Sequence, residues 1–266
     1  VLAQRTGVPL VELNFQFNFG YAQENNDELG YTNFMMDMLN EGTRKYTSLQ
    51  FDEVLDSLGS NLGFGSGLDT SYATVSSLKA NLSETLDLAK EALIYPTFPQ
   101  KEIDRIKKQT LASIVQEENR PAAIAYRNIG KLLYGQNHPY GKPLTGSGIS
   151  ETISDITRDN IIAVHSRAIN PTNLTFAVAG DIQLDELVEI LEDKFGNWSG
   201  NTNSNLKELN KVPLPDTRRV YLIDKPNAQQ SYIVAGQLLP PSATDEEIKI
   251  SYMNYAIGGS FTARLN

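Results

Sequence analysis

Within residues 8–19, apolar and polar positions alternate without a break from Val11 to Phe19. Val11, Leu13, Phe15, Phe17 and Phe19 interleave with Glu12, Asn14, Gln16 and Asn18. A period of two predicts a strand with one buried and one wet face. Val1 itself sits in a segment that reads as strand. A polar loop over 20–27 follows, and the period then becomes helical. In 30–43, Tyr31, Phe34, Met35, Met38 and Leu39 share one face at about 100° per residue. Asn33, Met36, Asp37 and Asn40 fall on the opposite face, and Gly42 is placed to close one continuous helix. That opposite face reads as solvated.

The same reading continues along the chain. Ser48 is placed to cap a helix carrying Phe51, Val54, Leu55 and Leu58, stopped by Gly59. Residues 62–68 and 70–78 read as a hairpin whose first strand holds Gly63, Gly65 and Gly67. Helices are expected from Ser83, from Pro99 to about Glu118, from Pro121 to Tyr134, around Ile161 to Ala168, and from Leu184 to Phe195. A strand is expected over 173–179. Residues 199–215 have little periodicity and read as a linker. Strands are expected over 219–224 and 231–238. Thr244-Asp245-Glu246-Glu247 reads as a capping box opening a helix that ends at Gly258-Gly259. This strand, loop, helix, glycine order repeats that of 14–42 in 232–259. The fold expected is α+β, a mostly antiparallel sheet packed against helices. Its divisions are 1–198 as a first domain, 199–217 as a linker, and 218–266 as the start of a second, related domain.

Composition narrows the chemistry. The 266 residues carry a net charge of −9 and contain no cysteine. Thiolate metal sites, disulfides and cysteine nucleophiles are excluded. The negative balance and the lack of a basic aromatic platform argue against nucleic acid. No apolar run approaches a membrane span. The chain begins at Val1 and ends just past a helix, so the expectation is that segments precede and follow it. His138 and His165 are the only histidines, without a ligand partner at a recognisable spacing, and each reads as a hydrogen-bonded structural or surface residue.

Several phrases share one source. The frame of 30–43, in which Gly30, Phe34, Met38, Leu39, Gly42 and Thr43 hold fixed places, resembles the active-site helix of the pitrilysin/insulinase family of zinc peptidases, the inverzincins. Tyr95-Pro96-Thr97-Phe98-Pro99, His138-Pro139-Tyr140-Gly141, Gly180-Asp181 and the Gly258-Gly259 to Arg264-Leu265 stretch also resemble phrases of that family, in the right order. The resemblance implies two related α+β half-domains, the second one truncated here. It also implies which positions matter. Asn33 and Asp37 stand where the zinc-binding histidines of H-x-x-E-H would be, and Met36 stands where the glutamate base would be. The third-ligand region is Thr110-Leu111-Ala112-Ser113-Ile114, with Ala112 and Ser113 in place of glutamates. Asn is a poor zinc ligand and a thioether cannot take a proton, so no metal is expected in this chain. In the family the hairpin offers an edge strand to extended substrate, which here would be Gly63, Phe64, Gly65 and Ser66. An ordinary hairpin is the equal alternative.

Some members of the family work as two-chain enzymes in which a zinc-free subunit completes a chamber and supplies an Arg and a Tyr from its second half. The expectation is therefore a non-catalytic partner of a zinc-containing metalloendopeptidase subunit. It would bind unfolded peptide in a bacterial periplasm or cell envelope, and its Arg and Tyr would lie beyond residue 266. Two other readings stay open: a zinc-dependent metallopeptidase with an unrecognised site, and a purely structural or peptide-binding subunit.

Overall fold

A computed structural model of the chain describes residues 1–200, 206–214, 216–240 and 244–265. It forms two compact units, Val1–Val212 with Tyr221–Ile233, and Pro213–Val220 with Val234–Asn266.

In the first unit, β1 (Leu2–Gln4), β2 (Leu10–Phe17), β3 (Asn61–Ser66), β4 (Ser71–Leu78) and β5 (Leu174–Gly180) build one sheet in the order β1-β5-β2-β4-β3. The alternation in β2 puts it at the centre. It pairs antiparallel with β4 from Leu10↔Leu78 to Phe17↔Ser71, and with β5 from Val11↔Gly180 to Phe17↔Leu174. β3 joins β4 antiparallel at one edge, and β1 joins β5 in parallel at the other. Val11, Leu13, Phe15 and Phe17 are buried together with Ala73 and Val75 of β4. Each large side chain buried in this way contributes about 2 kcal/mol. Phe15 meets Phe176 edge-on at 4.9 Å and Phe195 at 5.3 Å, and Trp198 closes the cluster against Phe17 at 6.1 Å.

Eight helices complete the unit: α1 (Tyr31–Asp37), α2 (Ser48–Ser57), α3 (Leu82–Ile94), α4 (Gln100–Glu117), α5 (Pro121–Tyr134), α6 (Ser150–Asp155), α7 (Arg158–Ala168) and α8 (Leu184–Phe195), counted among the described residues. α1 is packed by α7, β3 and α4. The fold is α+β with a mostly antiparallel sheet, as expected. The second unit contains α9 (Glu247–Ile257).

Four local expectations are corrected. α1 stops at Asp37 instead of running to Gly42. Its end tightens, with Met38 N–H donating to the Met35 carbonyl and Leu39 N–H to that of Met36. The chain then leaves the helix axis to bridge Gly42 to Thr47 and Thr43 to Pro96. The cap of α2 is Thr47, one residue before Ser48. Its hydroxyl accepts from Gln50 N–H while the Gln50 side chain accepts from Thr47 N–H at 3.0 Å. The cap of α9 is Glu246, and Thr244 contributes only its backbone carbonyl, to Glu247 N–H at 3.0 Å. The expected strands over 219–224 and 231–238 are not strands. No strand among the described residues takes their backbone groups, and Val220, Leu222 and Ile233 stand almost fully exposed. Without a partner, a period-two pattern has no ladder to join. Within the segment read as a linker, 201–205 and 215 lie outside the described residues.

Candidate functional site

A cavity of about 640 Å³ opens between α1, α4, β3 and the loop before α6. Its first wall is α1. Gly30 begins that helix with φ +91°, and a Cβ there would come within 2.7 Å of the Ser147 carbonyl oxygen, so only glycine lets the two segments meet. The buried Glu24 carboxylate accepts from Gly30 N–H at 2.9 Å and Thr32 N–H at 2.7 Å, which satisfies two donors at the helix start. Burial still pushes its carboxyl up to about 7.

α1 brings Asn33, Met36, Asp37 and the following Asn40 to the cavity wall. Their settings differ. Asn33 Nδ2 donates to the Gly146 carbonyl at 3.0 Å, which ties its amide to the loop. Met36, expected on a wet face, is fully buried and belongs to the apolar core. Covered by β3 and α4 as well as α7, the short helix has little wet face left, and the position nearest the apolar stripe is absorbed into the core. Asp37 opens to the cavity while protein surrounds it on its other sides. This partial desolvation, with Glu41 nearby, pushes its carboxyl up to about 6.

The facing wall is α4, which presents Arg105, Gln109, Ser113 and Glu117 at every fourth position. Ser113 therefore lies across from α1, whereas Ala112 is exposed elsewhere on the helix. Arg105 pairs with Glu41 and, at 2.7 Å, with Glu102. Glu117 accepts from Arg127 at 2.7 Å and from the Ser147 hydroxyl at 2.7 Å, and Arg127 also donates to the Gly148 carbonyl at 2.8 Å. Of the three carboxylates lining the cavity, two are thus held by arginines. Asp37 has no ion-pair or hydrogen-bond partner among the described residues. These two networks were not anticipated from the sequence. The polar stripe at every fourth position of α4 was the signal that could have found them.

β3 forms the rim. It pairs on one side only, with β4, and Leu62 and Phe64 turn into the cavity. Gly63 and Gly65 have a packing reason of their own. A Cβ on Gly63 would lie 2.8 Å from Thr74 Oγ1, and one on Gly65 would lie 2.6 Å from the Tyr72 hydroxyl. They make room for side chains of β4. Ser66 accepts from the Ser71 hydroxyl at 3.1 Å.

The donor set does not fit zinc. Among the described residues no group of three or more His, Cys, Asp or Glu is placed to hold a metal ion. At Asn33, Met36, Asp37 and Ser113 stand one amide committed to a carbonyl, one buried thioether, one carboxylate and one neutral hydroxyl, against the four nitrogen, sulfur or carboxylate ligands zinc requires, and the other two carboxylates lining the cavity are held by arginines. Both histidines lie elsewhere. His138 Nδ1 accepts from Tyr140 N–H at 3.0 Å, which leaves Nε2–H to donate to the Asn210 carbonyl at 3.0 Å. His165 Nε2 bonds the Leu93 carbonyl at 2.9 Å. No helix among the described residues is long and apolar enough to cross a membrane.

Comparison with known proteins agrees with this frame. An "Uncharacterized zinc protease" of Rickettsia felis is 23% identical over 258 residues, covering 97% of this chain and 61% of the relative. The "Non-peptidase homolog YmxG" of Helicobacter pylori is 22% identical over 261 residues, covering 97% and 58%. The chain thus spans about three fifths of the length of these relatives. The crystal structure of a peptidase M16 inactive domain from Pseudomonas fluorescens superposes with a TM-score of 0.73 at 27% identity, covering 80% of this chain and 51% of that one. Residues 155–266 match the family described as "Peptidase M16 inactive domain". Residues 1–148 match "Insulinase (Peptidase family M16)", and the chain belongs to the insulinase family, peptidase family M16.

Proposed function

We propose that this chain is a non-catalytic insulinase-family homologue that holds an extended peptide along β3, above the cavity, and completes the chamber of a zinc-containing metalloendopeptidase subunit. One observation carries the reading: an open-edged strand borders a large polar cavity whose donors do not suit zinc. The free edge of β3 supplies backbone donors and acceptors, and Phe64 and Leu62 supply an apolar floor for alternate side chains. A relative named as a non-peptidase homologue supports the same view. In this reading residues 1–198 are the peptide-binding half, 199–217 link it to a second half that starts at 218, and zinc resides in the partner. The proposed compartment is the bacterial periplasm or cell envelope.

The test uses an unfolded polypeptide as ligand. The chain is expected to bind it without cleaving it and to raise the cleavage rate of an M16 zinc subunit with which it associates. Peptides N-methylated at alternate backbone positions should bind at least about tenfold more weakly. A partner that binds the chain but gains no activity would overturn the chamber role. Peptide binding that persists in that case would favour the purely structural or peptide-binding reading.

A further inference from the structure

A second cleft lies away from the cavity, within the first unit. It is lined by Asn25, Asn26, Asn137, His138, Lys142 and Lys207, and has a volume of about 200 Å³. Lys142 sits on its floor with the residue only 5% exposed, and Lys207 stands at its mouth. Both ammonium groups donate to one acceptor, the Glu24 carbonyl, at 2.6 Å each. Two cations therefore converge on a single neutral oxygen.

Glu24 and Glu28 attract both lysines through space, but neither acid hydrogen-bonds to either ammonium group. The Glu24 carboxylate is turned to the start of α1, and Glu28 is engaged by Arg167 at 2.8 Å. Asp27 acts on Lys207 only at longer range. Neither lysine forms an ion pair among the described residues, and none of the undescribed residues is Asp or Glu. A buried ammonium normally has a charged partner, because desolvation costs several kcal/mol per ion. Burial accordingly lowers the pKa of Lys142, with the charge of Lys207 adding to it, and burial together with the charge of Arg167 lowers that of Lys207. The side-chain amides of Asn25, Asn26 and Asn137 have no hydrogen-bond partner among the described residues, so their donors are available around the same space. His138 has both ring nitrogens committed and serves as wall.

We propose that this cleft is an oxyanion site in which Lys142 and Lys207 hold a phosphate or carboxylate group and the asparagine amides complete its shell. The Glu24 carbonyl ties the site to the segment that caps α1, so an occupied cleft also fixes that end of the helix. Because the chain as a whole is negative, with a net charge of −9, uptake depends on short-range contacts and weakens with added salt.

Calorimetric titration of the full chain at constant ionic strength tests this, with three probes: inorganic phosphate, a short peptide ending in a free carboxylate, and the same peptide as its amide. Binding of phosphate alone assigns the site to free phosphate. Binding of the acid but not the amide assigns it to a peptide terminus. In either case Lys207→Glu should abolish uptake while keeping or raising the thermal midpoint, because the new carboxylate pairs with Lys142. Lys142→Met should weaken uptake by at least about tenfold. Failure of both phosphate and the free-acid peptide to bind at millimolar concentration overturns the proposal. So does binding that Lys207→Glu leaves unchanged.

Discussion

Replacing Asp37 with Asn should make the protein more stable at neutral pH than at pH 4, relative to the unchanged chain. The reasoning starts from an acid held at about 6 instead of the ordinary 3.8. A raised carboxyl binds its proton more tightly when folded than when unfolded, so the native state loses stability as pH climbs from about 4 to about 6, and the loss is complete above that window. For a fully sequestered group a gap of this size corresponds to about 3 kcal/mol. Asp37 faces water across the cavity, and screening reduces the expected effect to about 1 kcal/mol. Glu41 contributes less than desolvation does, since Arg105 already holds it. Urea unfolding of both proteins at pH 4, 5, 6 and 7.5 reads the difference directly. The Asn variant should match the unchanged chain near pH 4 and exceed it by about 1 kcal/mol at pH 7.5. A difference that does not vary with pH, or a variant that is weaker at pH 7.5, would show that Asp37 is neither desolvated nor alone in the cavity.

Other substitutions probe the remaining walls. Arg127→Met removes the partner of Glu117 and the donor to the Gly148 carbonyl in a largely buried setting, and should cost about 3 kcal/mol, seen as a lowered urea midpoint. Gly65→Ala places a methyl 2.6 Å from the Tyr72 hydroxyl, and should cost about 1 kcal/mol as that ring swings aside; an unchanged midpoint would argue against the packing role given to this glycine.

Where one residue's surroundings were implied by its own sequence neighbours, the reading held. The alternation of β2 fixed its buried face, and α8 runs from Leu184 to Phe195 as expected. Of the positions singled out by the resemblance, Asn33, Met36, Asp37 and Ser113 line one cavity and Ala112 does not. What failed depended on distant partners. Met36 looked wet on a helical wheel because a wheel does not contain β3 and α4. The packing of Gly63 and Gly65 against Thr74 and Tyr72 on the next strand could not be read from their own segment. The segments 219–224 and 231–238 had strand-like residues, yet a strand exists only with a neighbour to bond. Arg105 pairs with Glu41 far back in the chain and Arg127 with Glu117 across the turn between α4 and α5, and the stripe on α4 was their single local sign.

The most direct measurement is the zinc content of the purified chain after dialysis against zinc-containing buffer and removal of loosely held ions. The account predicts far less than one zinc per chain, because the groups around Asn33, Asp37 and Ser113 do not make up a zinc ligand set. One tightly bound zinc per chain, lost on Asp37→Ala, would contradict it.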